Sequence, residues 1–185
     1  MTWSATERYH LEPAPGGLGL VQDLLNTVSA GLPERPDLLA DLTRAQVWAD
    51  DAVAAWASAT GRPAPTVVLD DADGWQALRD LRDALGGHAE ETGADAGLRL
   101  GPDGVVRLEP RGAGAHLVVS LVLAALYEAQ QADTRRRLKT CRNPLCRVAF
   151  YDRSRNNSGV WHDVKTCGNA ANLRAYRARR RERAD

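Results

Sequence analysis

Every cysteine of this 185-residue chain lies in one short stretch, spaced Cys141-x4-Cys146, then fifteen residues, then His162-x4-Cys167. An odd number of thiols argues against a disulfide framework, and thiols in a reducing compartment stay free in any case. With His162 the set becomes four donors in two close pairs. Tetrahedral zinc takes this arrangement, because each short loop delivers two donors to one ion. Four protein donors close the coordination sphere and leave no position for an activated water, so the spacing predicts a structural Zn2+ site. The alternative reading is three buried cysteines beside an unrelated histidine; the clustering of all four favours the metal.

A net charge of zero hides a polarity along the chain. Residues 1–133 carry 9 Lys and Arg against 20 Asp and Glu, whereas residues 134–185 carry 15 against 4. Of the 24 basic residues 22 are Arg, a bias that explains Arg over Lys but not where the charge sits. An acidic body joined to a basic end predicts different partners for the two parts.

The organisation follows from periodicity. Leu20, Leu24 and Val28 sit at helical spacing ahead of Gly31 and Pro33. Leu38 to Trp56 fit one or two helices that "GRPAP" must end. Asp70 or Asp71 can cap a further helix carrying Trp75, Leu78, Leu81 and Leu85. The period then changes to two around a Pro-Asp-Gly turn, which predicts a hairpin with Leu98, Leu100, Val106 and Leu108. A long helix from about residue 113 to 137 follows, apolar nearly all round at its centre and therefore buried. The fold class expected is mainly α: a helical N-terminal domain, residues 1–133, with one small β-hairpin, then a zinc-binding module, residues 134–185, ending in a basic helix. The first domain has its own core, so loss of the metal should spare it.

The apolar run Leu117 to Tyr127 is shorter than the roughly 20 residues that span a bilayer. Residues 1–20 show neither a signal nor a transit peptide pattern, and the expected location is cytoplasmic. Hydrolase, P-loop, zincin and deaminase signatures are missing. His10, His88 and His116 stand alone, and no catalytic residue is assigned.

The basic end supplies the nucleic-acid candidates. Arg174, Arg177 and Arg181 project from one side of a terminal helix, with Arg180 extending the charge, while Leu173 and Tyr176 can pack on the zinc module. Arg153, Arg155, Asn156 and Asn157 offer further donors from the loop "YDRSRNNSG". Guanidinium groups in such a row suit phosphate.

The stretch "CRNPLCRVAFYDRSRNNSGVWHDVKTCGNAANLRAYRARR" resembles the CGNR zinc finger, with its C-x4-C, its "F-D-x-S-R-N" loop, a Trp beside the third ligand and a terminal C-G-N-R. Upstream, "GLVQDLLNTV" is similar to the opening of the ABATE domain that accompanies that module. The resemblance implies a stress-responsive transcription regulator that binds duplex DNA, with an N-terminal domain sensing a small-molecule effector. The sequence departs from the family in three places: His162 stands for the third Cys, Ala170 for the last Arg of the signature, and Gly159 and Val160 occupy loop positions where Arg is common. The last two departures remove phosphate contacts.

The function expected is a zinc-containing, ligand-modulated transcription regulator. Residues 1–133 serve as sensor or homodimerisation body, with an apolar pocket between Leu20–Thr27 and Leu117–Tyr127. The alternative is an interaction module whose basic end docks on an acidic protein; an enzyme is the least favoured class, and no membrane partner is expected.

Overall fold

A computed structural model describes residues 2–31, 33–87 and 91–182. Its elements are helices α1 (Ser4–Glu7), α2 (Leu18–Leu25), α3 (Leu42–Thr60) and α4 (Ala72–Leu85), strands β1 (Ala96–Leu100) and β2 (Val106–Pro110), helix α5 (Gly114–Gln131), strands β3 (Leu138–Thr140) and β4 (Ala149–Tyr151), and helix α6 (Asn169–Glu182). The fold is mainly α with a small Cys/His module at its C-terminal end, as the periodicity predicts. His88 lies outside the described residues.

Local chemistry sets the helix ends. The Asp41 carboxylate accepts from the Arg44 amide at 2.9 Å to start α3, and Gly61, at φ +67°, ends it in the left-handed region. Asp71 caps α4 by accepting from the amides of Asp73 and Gly74. Such caps are each worth about 1 kcal/mol. Helix α5 stops at Gln131, six residues before the expected end. Asp133 takes φ +54° and the Thr134 amide turns back onto the Ala129 carbonyl at 2.9 Å, after which Arg135–Arg137 form a 3-10 turn into β3.

The core is built on α2 and α5. Seven consecutive residues of α2, Leu18 to Leu24, are buried, and Leu20, Leu24, Val118 and Val122 are fully so. The expected pocket between these segments is therefore filled by side chains. Trp48 from α3 and Leu78 and Leu81 from α4 complete the same cluster. A cavity beside α5 does exist, on another side of that helix, against β2 and the Arg62–Pro65 loop.

A helix buried all round must partner its polar residues internally, and α2 does so. Asp23 accepts from the Thr6 amide at 2.7 Å and from the Trp48 indole at 2.9 Å, fixing α1 and α3. Burial pushes the Asp23 carboxyl above its ordinary range, and these hydrogen bonds partly offset the rise. Arg82, 4 % exposed, reaches from α4 to Asp37 at 2.8 Å and Thr27 at 3.3 Å.

The first hairpin pairs Leu98 with Leu108 and Leu100 with Val106. Leu98, Leu100 and Val106 nevertheless point to solvent. A second hairpin, β3 with β4, was not legible in the sequence and forms the base of the Cys/His module.

Candidate metal centre

The module is seated on the body by named contacts. The Asn26 side chain, at the C-terminal cap of α2, brackets Ala149 of β4: its Oδ1 accepts from the Ala149 amide at 2.8 Å and its Nδ2 donates to the Ala149 carbonyl at 3.0 Å. Gln22 donates to the same carbonyl at 3.4 Å and accepts from the Ala14 amide at 2.6 Å. The Gly31 amide donates to the Cys146 carbonyl at 2.8 Å. Ala30, Val28, Tyr9 and Leu11 pack against the buried cysteines.

On that base the chain makes a tight turn from Cys141 to Cys146. The Cys141 amide donates to the Val148 carbonyl at 2.8 Å and the Cys146 amide to the Asn143 carbonyl at 2.9 Å, with Arg147 at φ +61°. The Arg142 amide donates to the Val160 carbonyl at 2.9 Å and so brings in the extended segment that carries His162. Asp163 then caps a π-helical turn, Val164–Gly168, which presents Cys167. Gly168 keeps that turn uncrowded, because a Cβ would lie 3.2 Å from the Trp161 ring.

The four expected donors converge. One donor atom each of Cys141, Cys146, His162 and Cys167 lies within 4.8 Å of the others, and the three thiols are buried and free. His162 Nδ1 is 3.3 Å from Cys146 Sγ. Metal–donor bonds of about 2.0–2.3 Å put tetrahedral donors about 3.3–3.8 Å apart, so a small contraction completes the site. The donor set, three thiols and an imidazole, is one that zinc takes. Cys146 donating to Cys141 holds the Cys141 thiol well below its usual range and raises that of Cys146, as two thiols sharing one proton must behave.

Sequence reasoning missed Asn143, which lies inside the first Cys pair and is fully buried. Its Nδ2 donates to Cys167 Sγ at 3.3 Å, and its Oδ1 accepts from Arg174 Nη2 at 2.9 Å. Hydrogen bonds to a sulfur orient the ligand and stabilise its anion. An amide side chain between the two cysteines of the first pair was the available signal.

The structure distributes the expected nucleic-acid residues between two kinds of position. Arg155 and Asn156 are exposed on the loop, and Arg177 and Arg180 are exposed along α6. Arg174 holds Asn143, and Arg153 binds Glu12 and the Pro13 carbonyl, each at 2.8 Å. Asn157, at φ +50°, gives its carbonyl to Lys139 at 2.7 Å and its Nδ2 to the Arg136 carbonyl at 3.3 Å. The Arg181 side chain lies outside the described residues. Leu173 and Tyr176 do not pack on the module; they are 49 % and 56 % exposed.

The loop itself is organised by Asp152, which accepts from Lys139 at 2.7 Å and from the amides of Ser154 at 2.8 Å and Gly159 at 2.7 Å. Burial would raise its carboxyl, but these donors outweigh it and hold it well below the usual range. A Cβ at Gly159 would meet the Asp152 carboxylate at 2.8 Å. Any side chain there, Arg included, would disturb this loop, so Gly159 is a packing requirement here and not merely a lost phosphate contact.

Residues 137–180 match the CGNR zinc finger family model. The matched zinc finger contains all four donors and Asn143, and begins at the turn leading into β3. Residues 1–136 lie outside the match. No curated protein matches the chain. No helix among the described residues is long and apolar enough to cross a membrane.

Proposed function

We propose that the chain is a cytoplasmic, non-enzymatic transcription regulator whose zinc finger binds duplex DNA and whose ABATE-like residues 1–133 sense a small-molecule effector and mediate homodimerisation. The observation that carries the DNA reading is the exposed guanidinium row on α6. Arg177 and Arg180 stand clear on a helix that is anchored to the metal centre at its first turns. Cys141, Cys146, His162 and Cys167 would hold zinc, which supplies folding energy and no reaction chemistry in a closed four-ligand site. Arg155 and Asn156 on the Asp152-organised loop would add contacts to phosphate or base edges.

Anisotropy of a labelled duplex, titrated with the zinc-loaded chain before and after chelation, tests this reading. Binding that disappears with the metal supports it, and chelation without effect contradicts it. A second reading, in which the basic end docks on an acidic protein, is favoured by one observation: Leu173 and Tyr176 expose apolar surface beside the arginines. That version forecasts no affinity for duplex DNA.

A further inference from the structure

Residues 1–133 are strongly acidic, yet three of their nine arginines, Arg62, Arg99 and Arg107, line one cavity of about 350 Å³. Small-molecule sites begin at about this size. Its apolar wall is Trp56 at the end of α3, Leu108 on β2, and Leu117 and Leu121 on α5. Pro63 and Pro65 make the opposite rim and stiffen it.

The walls are held from outside. Gln46 on α3 donates to the Val67 carbonyl at 3.0 Å and accepts from the Leu69 amide at 2.7 Å, fixing the segment beyond the prolines. Ser120 of α5 donates to the Asp95 carbonyl at 2.7 Å and accepts from the Arg111 amide at 3.1 Å, fixing the base of the hairpin. The cavity is therefore formed before any ligand arrives.

Among the lining residues Glu109 is the one carboxylate, and Arg99 already engages it at 2.7 Å. Arg62 pairs with Glu128 at 2.6 Å and lies 5.9 Å from the Trp56 ring centroid; Arg107 pairs with Asp103. Each guanidinium has five N–H donors, so these partners leave donors free. Each arginine at the rim is thus paired with one carboxylate yet keeps N–H donors for a further acceptor beside the apolar wall.

We propose that this cavity binds a small arylcarboxylate, with its ring against Trp56, Leu117 and Leu121 and its carboxylate on the arginine rim. A flat ring matches the indole and the stiff proline edge, and the remaining guanidinium donors, which form charge-assisted hydrogen bonds to a carboxylate, select the acid over its neutral relatives. The inference gives a chemical class to the effector proposed above. It rests on that reading only for its regulatory meaning, since binding here involves no DNA.

Isothermal titration of the full zinc-loaded chain with indole-3-acetate, and separately with indole-3-acetamide, tests it. The acid should bind saturably, one per chain, and at least about tenfold more tightly than the amide. The double variant R62Q/R107Q, whose altered side chains are part-exposed, should bring the acid down to the affinity of the amide. Equal affinity for acid and amide, or saturable binding of neither by about 10 mM, overturns the proposal on the wild-type chain alone, whatever the variant does. Acid binding in a chain that ignores duplex DNA would leave this inference standing while the regulator reading failed.

Discussion

A single side chain, Asn26 at the C-terminal cap of α2, satisfies both backbone polar groups of Ala149 in the zinc-finger segment, 123 residues away, at 2.8 and 3.0 Å. All of these groups are buried, so water cannot replace the bonds. Asn26→Ala should therefore cost about 2–4 kcal/mol in urea unfolding of the zinc-loaded protein, from two backbone groups left unpaired. Loss of less than about 0.5 kcal/mol would mean that the docking is not held by this contact.

The same contact changes the expectation for metal loss. The Cys146 carbonyl accepts from Gly31, and Ala149 is bracketed by Asn26, so the module and the body share buried bonds. Cys167→Ser should abolish zinc retention and also lower the melting temperature of the helical body by several degrees, read by far-ultraviolet circular dichroism. An unchanged body transition would restore the earlier expectation of a core indifferent to the metal.

Asn143 is the outer partner of Cys167 and the inner partner of Arg174. Asn143→Ala should weaken zinc about 10- to 100-fold in competition with a chromophoric chelator. Arg174→Ala, which removes only the more distant partner, should have the smaller effect. The reverse order would show that Arg174 does not act through Asn143.

Asp152 has a depressed folded carboxyl value, so its contribution is present above its unfolded value, near 3.8, and is lost as the pH falls below that. The stability gap between the wild type and Asp152→Asn should therefore be constant from about pH 7 to 5 and close as the pH falls below about 4. Taking the difference between the two proteins cancels the metal's own acid release, which both share. A gap that widened with acid would contradict the assignment.

The four candidate metal donors were legible because their signal is local: two short spacings and a residue type with few other uses. Helix α4 was legible through Trp75, Leu78, Leu81 and Leu85, and the mainly α class followed. The polar residues of α2 were not. Gln22 and Asp23 sit in a helix without an exposed face, with Asn26 at its C-terminal cap, and the three find their partners at Ala14, Thr6, Trp48 and Ala149. Nothing periodic marks a residue whose partner is a backbone group more than a hundred positions away. The β3–β4 hairpin was hidden for a related reason, since three-residue strands are too short to show alternation. Leu173 and Tyr176 misled at i,i+3 spacing, because helical spacing shows that two side chains share a face, not that the face is covered.

The central claim, that the basic end binds duplex DNA, is tested most directly by the salt dependence of affinity for the zinc-loaded chain. Arg153 and Arg174 are exposed but already hydrogen-bonded to protein partners, which leaves Arg155, Arg177, Arg179 and Arg180 as the other exposed arginines described on the loop and α6. About four phosphates neutralised give log K against log[salt] a slope of roughly −3.5. Arg177→Ala with Arg180→Ala should flatten it by about two and weaken all sequences alike. A slope near zero, or no duplex binding at about 50 mM salt with zinc in place, would contradict the claim, because counterion release favours binding most at low salt.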